Sequence, residues 1–298
     1  MAKEVFLKSV DLPNGETFVY REMGEGSKVL LLIHGNYCSS VHMDIIMENM
    51  PDGYKMYAPD LRGYGDTTYN TPISSLKELA GDVKLFADKL GLKQFDIFGW
   101  SLGGGVVLQF AADYPEYVRK AAISGSVGIK GYPLYKTGPD FKPTTERITT
   151  MEEIAQDPLI AAPVLNIYKN KDKVTLKQIF DARIYTGNNI SDERYDRYLE
   201  ASLKHRNLVE ADYALTSFNM THEHSGVVEG TGDIDKIKGP VLVMQGTNDI
   251  VVSKEQFQSI KDGLGNRGVI VEFEGCGHAP MVDKTEDFMK VLVDFLEK

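Results

Sequence analysis

The sequence predicts an α/β fold, with a mostly parallel sheet flanked by helices and one helical insertion. Three observations predict it. Short apolar runs in the first half are separated by segments long enough for a crossover helix. The run Val29, Leu30, Leu31, Leu32, Ile33 is apolar throughout, as a strand covered on both faces must be. From about Gly131 to Gly232 such runs vanish, and they return only near the C-terminus.

The elements follow in order. Residues 5–10 and 17–20 open the chain as strands, 29–33 is the buried strand, and 55–58, 95–98 and 120–123 continue the series. The clearest helix is 76–90, where Leu76, Leu79, Ala80, Val83, Phe86, Ala87 and Leu90 share one face. Ser75 with Glu78 predicts a capping box at its start, and Gly91 predicts a left-handed stop. Inside the insertion, helical patterns fall at 151–156, 175–185, 192–206 and 208–218. Strands at 241–244 and 269–273 then resume the sheet, and an amphipathic helix near 286–296 closes the chain. One core domain therefore comprises residues 1–130 and 233–298, and 131–232 is read as a cap set into it.

Charge and composition narrow the partners. With 33 Lys and Arg against 43 Asp and Glu, the net charge of −10 argues against nucleic acid and against an anionic membrane surface. The first residues lack an apolar stretch of signal-peptide length, and no later segment is long and apolar enough to span a bilayer, so a cytoplasmic protein is expected. Cys38 and Cys276, the two cysteines, are expected as packed free thiols rather than a disulfide framework.

Chemistry is concentrated at strand ends. Gly99, Trp100, Ser101, Leu102 and Gly103 spell G-x-S-x-G between a buried strand and a helix start, a sharp turn whose small residues let two chain segments pass closely. A serine hydroxyl needs an adjacent base, and that base needs an orienting acid. His278 follows the last strand, and Asp249 follows the strand at 241–244, which gives the chain order Ser, Asp, His. Ser124, Gly125 and Ser126, after the preceding strand, offer no competing carboxylate. An oxyanion needs preorganised N–H donors. Leu102 supplies one, and the loop His34, Gly35, Asn36, Tyr37 supplies the other, with Asn36 preferred and Tyr37 the alternative. Tyr37 and Trp100 are further expected against the substrate. His222 and His224 are read as a solvated loop rather than a metal site.

Five landmarks in this order resemble the capped α/β-hydrolases: H-G-N at His34, D-L-R-G-Y-G from Asp60, G-W-S-L-G-G from Gly99, G-T-N-D from Gly246, and G-C-G-H-A-P from Gly275. The resemblance covers both flanks of the chain and not the insertion. It implies an eight-stranded sheet, a site between core and cap, and an enzyme without metal or other cofactor. It also implies a bracing role for His34 and for residues 60–65. Relatives that use an aspartate nucleophile are excluded by Ser101. The expected activity is a serine hydrolase, of carboxylesterase or lactonase type, that cleaves small to medium esters or lactones through an acyl-enzyme on Ser101. Alternatives are an acyltransferase or perhydrolase, a C–C bond hydrolase, which Ala279 after the base weakens, and a hydrolase-fold ligand receptor.

Overall fold

The computed structural model describes residues 4–187 and 190–298. Its strands are β1 (Val5–Asp11), β2 (Thr17–Met23), β3 (Lys28–Ile33), β4 (Tyr54–Pro59), β5 (Phe95–Trp100), β6 (Val118–Ser124), β7 (Tyr135–Thr137), β8 (Pro143–Arg147), β9 (Val241–Gly246) and β10 (Gly268–Phe273). Helices α1 (Asp44–Asn49), α2 (Leu76–Lys89) and α3 (Leu102–Asp113) precede the insertion. Within it lie α4 (Met151–Gln156), α5 (Ala161–Asn170), α6 (Lys173–Arg183), α7 (Asp192–Ser202) and α8 (Leu208–Thr216). After it come α9 (Lys254–Leu264), α10 (Pro280–Asp283) and α11 (Thr285–Glu297).

Eight strands form one sheet in the order β1-β2-β4-β3-β5-β6-β9-β10. Only β2 runs against its neighbours, and the other pairs are parallel. The chain leaves β3 towards β4 and returns on the other side as β5. That reversal makes the carboxyl ends of β3 and β5 a topological switch point, where α/β sheets bind ligands.

Alternation along the strands explains the continuous apolar runs. Leu31 and Ile33 of β3 enter one apolar layer with α2 and α3, while Leu30 and Leu32 enter the other with α11. Val241 and Val243 of β9 divide from Leu242 and Met244 in the same way. At α2 the Ser75 hydroxyl accepts the Glu78 amide at 3.3 Å, and Gly91 stops the helix at φ +67°. The expected box is half formed: the Glu78 carboxylate reaches back to the amide and hydroxyl of Ser74, one residue earlier than predicted.

The insertion holds the four predicted helices and two features that the pattern missed, α5 and the hairpin β7–β8. Both strands of that hairpin are largely exposed, so no apolar alternation marks them. Leu176 and Phe180 of α6, with Tyr198 and Leu199 of α7, join the apolar layer that contains Leu30 and Leu32. Ala211, Ala214 and Leu215 of α8 join the opposite layer. Ile148, Ile154, Ala161 and Leu208 form a separate small cluster. Among the described residues no helix is long and apolar enough to cross a membrane.

Candidate active site

The β5–α3 turn holds Ser101 at φ 57° and ψ −119°, a conformation L-residues rarely adopt. Such strain persists only where the surroundings enforce it. Here the enforcement is close packing: a Cβ on Gly103 would sit 2.3 Å from the Ile33 carbonyl oxygen, and one on Gly99 would sit 2.2 Å from that of Gly103. The Ser101 amide donates to the Ser124 carbonyl at 3.0 Å, which pins the turn to β6.

His278 arrives on the loop after β10. Its ring lies over Gly125, where a Cβ would stand 3.1 Å from Nδ1, so the imidazole sits beside the strand end that holds the Ser101 amide. Its Nδ1 is 2.9 Å from Asp249 Oδ2, and both side chains are 1 % exposed. Asp249 is well supplied with donors. Oδ1 accepts the amides of Val251 and Val252 at 2.8 and 2.9 Å, and Oδ2 also accepts Gln245 Nε2 at 2.8 Å. Burial works to raise the Asp249 pKa, but the His278 charge, its hydrogen bond and the two amides outweigh it and hold the carboxyl below its ordinary value. An ionised Asp249 accepts only, so Nδ1 carries the proton and Nε2 keeps the basic lone pair.

The loop after β3 closes against this turn. A Cβ on Gly35 would lie 3.0 Å from Ser101 Cβ, which sets Asn36 beside the candidate nucleophile. The Asn36 side chain is held at both ends: Nδ2 donates to Asp212 at 3.0 Å, while Oδ1 accepts the Tyr37 amide at 3.0 Å and the Tyr64 hydroxyl at 2.8 Å. The two candidates for the second oxyanion donor differ in their hydrogen bonding. The Tyr37 N–H is occupied, whereas among the described residues the Asn36 and Leu102 amides have no protein acceptor.

Tyr37, at φ 62°, is half-buried and edges onto His205. Trp100, expected against the substrate, stands behind the histidine instead. It is 1 % exposed, its indole N–H donates to the His278 carbonyl at 2.9 Å, and its ring packs on Tyr185. Bracing falls where expected. His34 Nε2 accepts the Leu61 amide at 3.0 Å, and Asp60 accepts the amides of Ser40 and Asp66 at 2.7 and 2.9 Å. Cys38 and Cys276 are free and buried, and His222 pairs with Asp235 at 2.8 Å.

Sequence reasoning passed over Asp212, although the signal is present. Leu208, Ala211, Asp212 and Leu215 fall at i, i+3, i+4 and i+7 of α8, which puts a carboxyl on the stripe that faces inward. Burial pushes the Asp212 carboxyl up to about 7, against the opposing pull of its Asn36 bond. Burial and then the Asp212 charge raise the phenols of Tyr37 and Tyr64. The Tyr132 phenol is also raised chiefly by burial, against the pull of Arg183 and with smaller contributions from Asp212 and Asp249.

Sheet order, strained turn and acid–histidine pair define a hydrolase of the α/β fold. Residues 28–285 match the alpha/beta hydrolase fold family, and the chain belongs to that family. It is 25% identical over 282 residues to a 2-hydroxy-6-oxononadienedioate/2-hydroxy-6-oxononatrienedioate hydrolase of Paraburkholderia phymatum, covering 93% of this chain and 90% of that one. It is also 25% identical over 307 residues to Lipase 1 of Psychrobacter immobilis, covering 98% and 85% of the two chains. Among solved structures, the enol-lactonase of Burkholderia xenovorans superposes with a TM-score of 0.73 at 15% identity, over 98% of this chain and 100% of that one.

Proposed function

We propose that this chain is a serine hydrolase that cleaves small to medium carboxylic esters or lactones through an acyl-enzyme on Ser101. The observation that carries the reading is the buried Asp249–His278 pair at 2.9 Å, whose imidazole lies over Gly125, next in sequence to the Ser124 carbonyl that holds the amide of a strained Ser101. Ser101 Oγ attacks the carbonyl carbon as its proton passes to His278 Nε2. The amides of Asn36 and Leu102 receive the oxyanion. Collapse expels the alcohol, which takes the proton from His278, and water attacks the acyl-enzyme by the same route in reverse. Residues 131–232 act as the cap that selects the substrate.

C–C bond hydrolysis is the second reading, favoured by the relative named for 2-hydroxy-6-oxononadienedioate at 25% identity. Ala279 after the base and the carboxyl of Asp212 favour the ester reading over it. The test is a fluorophosphonate label with a panel of aryl esters and lactones. Wild type is expected to label and turn over esters, and Ser101→Ala to lose both, with turnover down about a million-fold. Labelling of Ser101→Ala at the wild-type rate refutes the nucleophile assignment.

A further inference from the structure

Asp212 is the buried group that the proposed chemistry leaves without a task. Its side chain makes one hydrogen bond among the described residues, from Asn36 Nδ2 to Oδ1 at 3.0 Å. The residue keeps 7 % of its surface, and Oδ2 is neither paired nor among the sealed polar atoms. An unpaired buried charge is costly, so a carboxyl held this way needs a proton or an incoming donor. Its neighbours supply no cation. Tyr37 lies on the loop after β3, Tyr64 after β4, Tyr132 after β6 and Tyr168 on α5, and each feels the Asp212 charge. Arg183, exposed at the last turn of α6, acts on Tyr37 and Tyr132 and makes no ion pair with Asp212. The carboxyl is thus tied through the Asn36 side chain to the residue whose backbone amide is the candidate oxyanion donor, and its second oxygen is left open.

We propose that Asp212 is a specificity-determining residue whose open carboxyl oxygen accepts a hydrogen-bond donor of the substrate, a hydroxyl or ammonium close to the scissile carbonyl, and turns away acyl groups that carry a carboxylate there. This rests on the Ser101 ester reading. Two independent features lead to it, an oxygen without a hydrogen-bond partner among the described residues and its tie to the residue whose amide would hold the oxyanion. A hydroxyl placed there repairs the missing bond, whereas a carboxylate meets like charge in a site of low dielectric.

The test uses phenyl esters of butanoic acid, 2-hydroxybutanoic acid and succinic acid, assayed at about pH 8.5 on wild type, Asp212→Asn and Asp212→Ala. Wild type is expected to prefer the hydroxylated ester over butanoate, and butanoate over the succinate half-ester, each by about tenfold in kcat/KM. Asp212→Asn keeps an oxygen for Asn36 and removes the charge, so the succinate penalty should shrink to within about twofold. Asp212→Ala should level the preference for the hydroxyl. Unchanged ratios in both variants, with far-UV circular dichroism like wild type, overturn the proposal, because a role confined to holding Asn36 moves all three esters together. Wild-type protein that turns over none of the three overturns the ester reading itself, which is a separate failure.

Discussion

Replacing Asp212 by Asn tests the energetics of the site without reference to any substrate. Burial lifts this carboxyl from an ordinary 3.8 to about 7. Between those values the folded chain holds a proton that the unfolded chain has released. Stability attributable to Asp212 is therefore fully present below about pH 4, falls as pH rises through that window, and is lost above about 7. Three units at 1.36 kcal/mol each give about 4 kcal/mol at full ionisation. Asn carries no charge and can turn its oxygen to Asn36 Nδ2, so the variant escapes this loss. Subtracting wild type from variant cancels every other titration common to both. The difference should grow by about 2 kcal/mol between pH 5.5 and 8.5, which urea denaturation reads as a midpoint shift of roughly 0.5–1 M. A difference that stays flat across that range refutes the claim that an uncompensated carboxyl is buried beneath α8.

Three further outcomes follow from the same geometry. Asp249→Asn should lower kcat by about 10,000-fold, because an amide leaves His278 in the wrong tautomer, and steady-state kinetics on the best aryl ester would show it. Gly103→Ala places a Cβ 2.3 Å from the Ile33 carbonyl oxygen and 2.5 Å from that of His34, backbone atoms that cannot swing aside. It should cost about 3 kcal/mol or more, measured as a drop in urea midpoint. Asn36→Ala removes the bonds to Asp212, Tyr64 and Tyr37, and the freed loop should lose about 100-fold in kcat/KM while thermal unfolding changes far less. Near-wild-type kinetics in that variant would show that the loop holds its geometry without the Asn36 side-chain bonds.

By itself the sequence determined the strand run of residues 29–33, the helix at 76–90, and the turn around Ser101. These are local signals: an apolar alternation with both faces covered, a 3.6-residue stripe with its caps, and glycines whose missing side chains admit a close chain crossing. Chain order placed Asp249 and His278 as candidates, since strand ends in such a sheet gather at one edge. Tertiary structure decided what no period encodes. The Tyr37 amide is occupied by Asn36 Oδ1, a contact set by the fold of one loop. Trp100 took its place behind His278 because its indole finds a carbonyl 178 positions away in sequence. The hairpin β7–β8 escaped notice because exposed strands need no apolar pattern. Asp212 stands 176 positions from Asn36, and only the tertiary placement of α8 brings that carboxyl to it. Local propensities are written in neighbouring residues, whereas the environment of a buried charge is written in contacts between segments far apart in the chain.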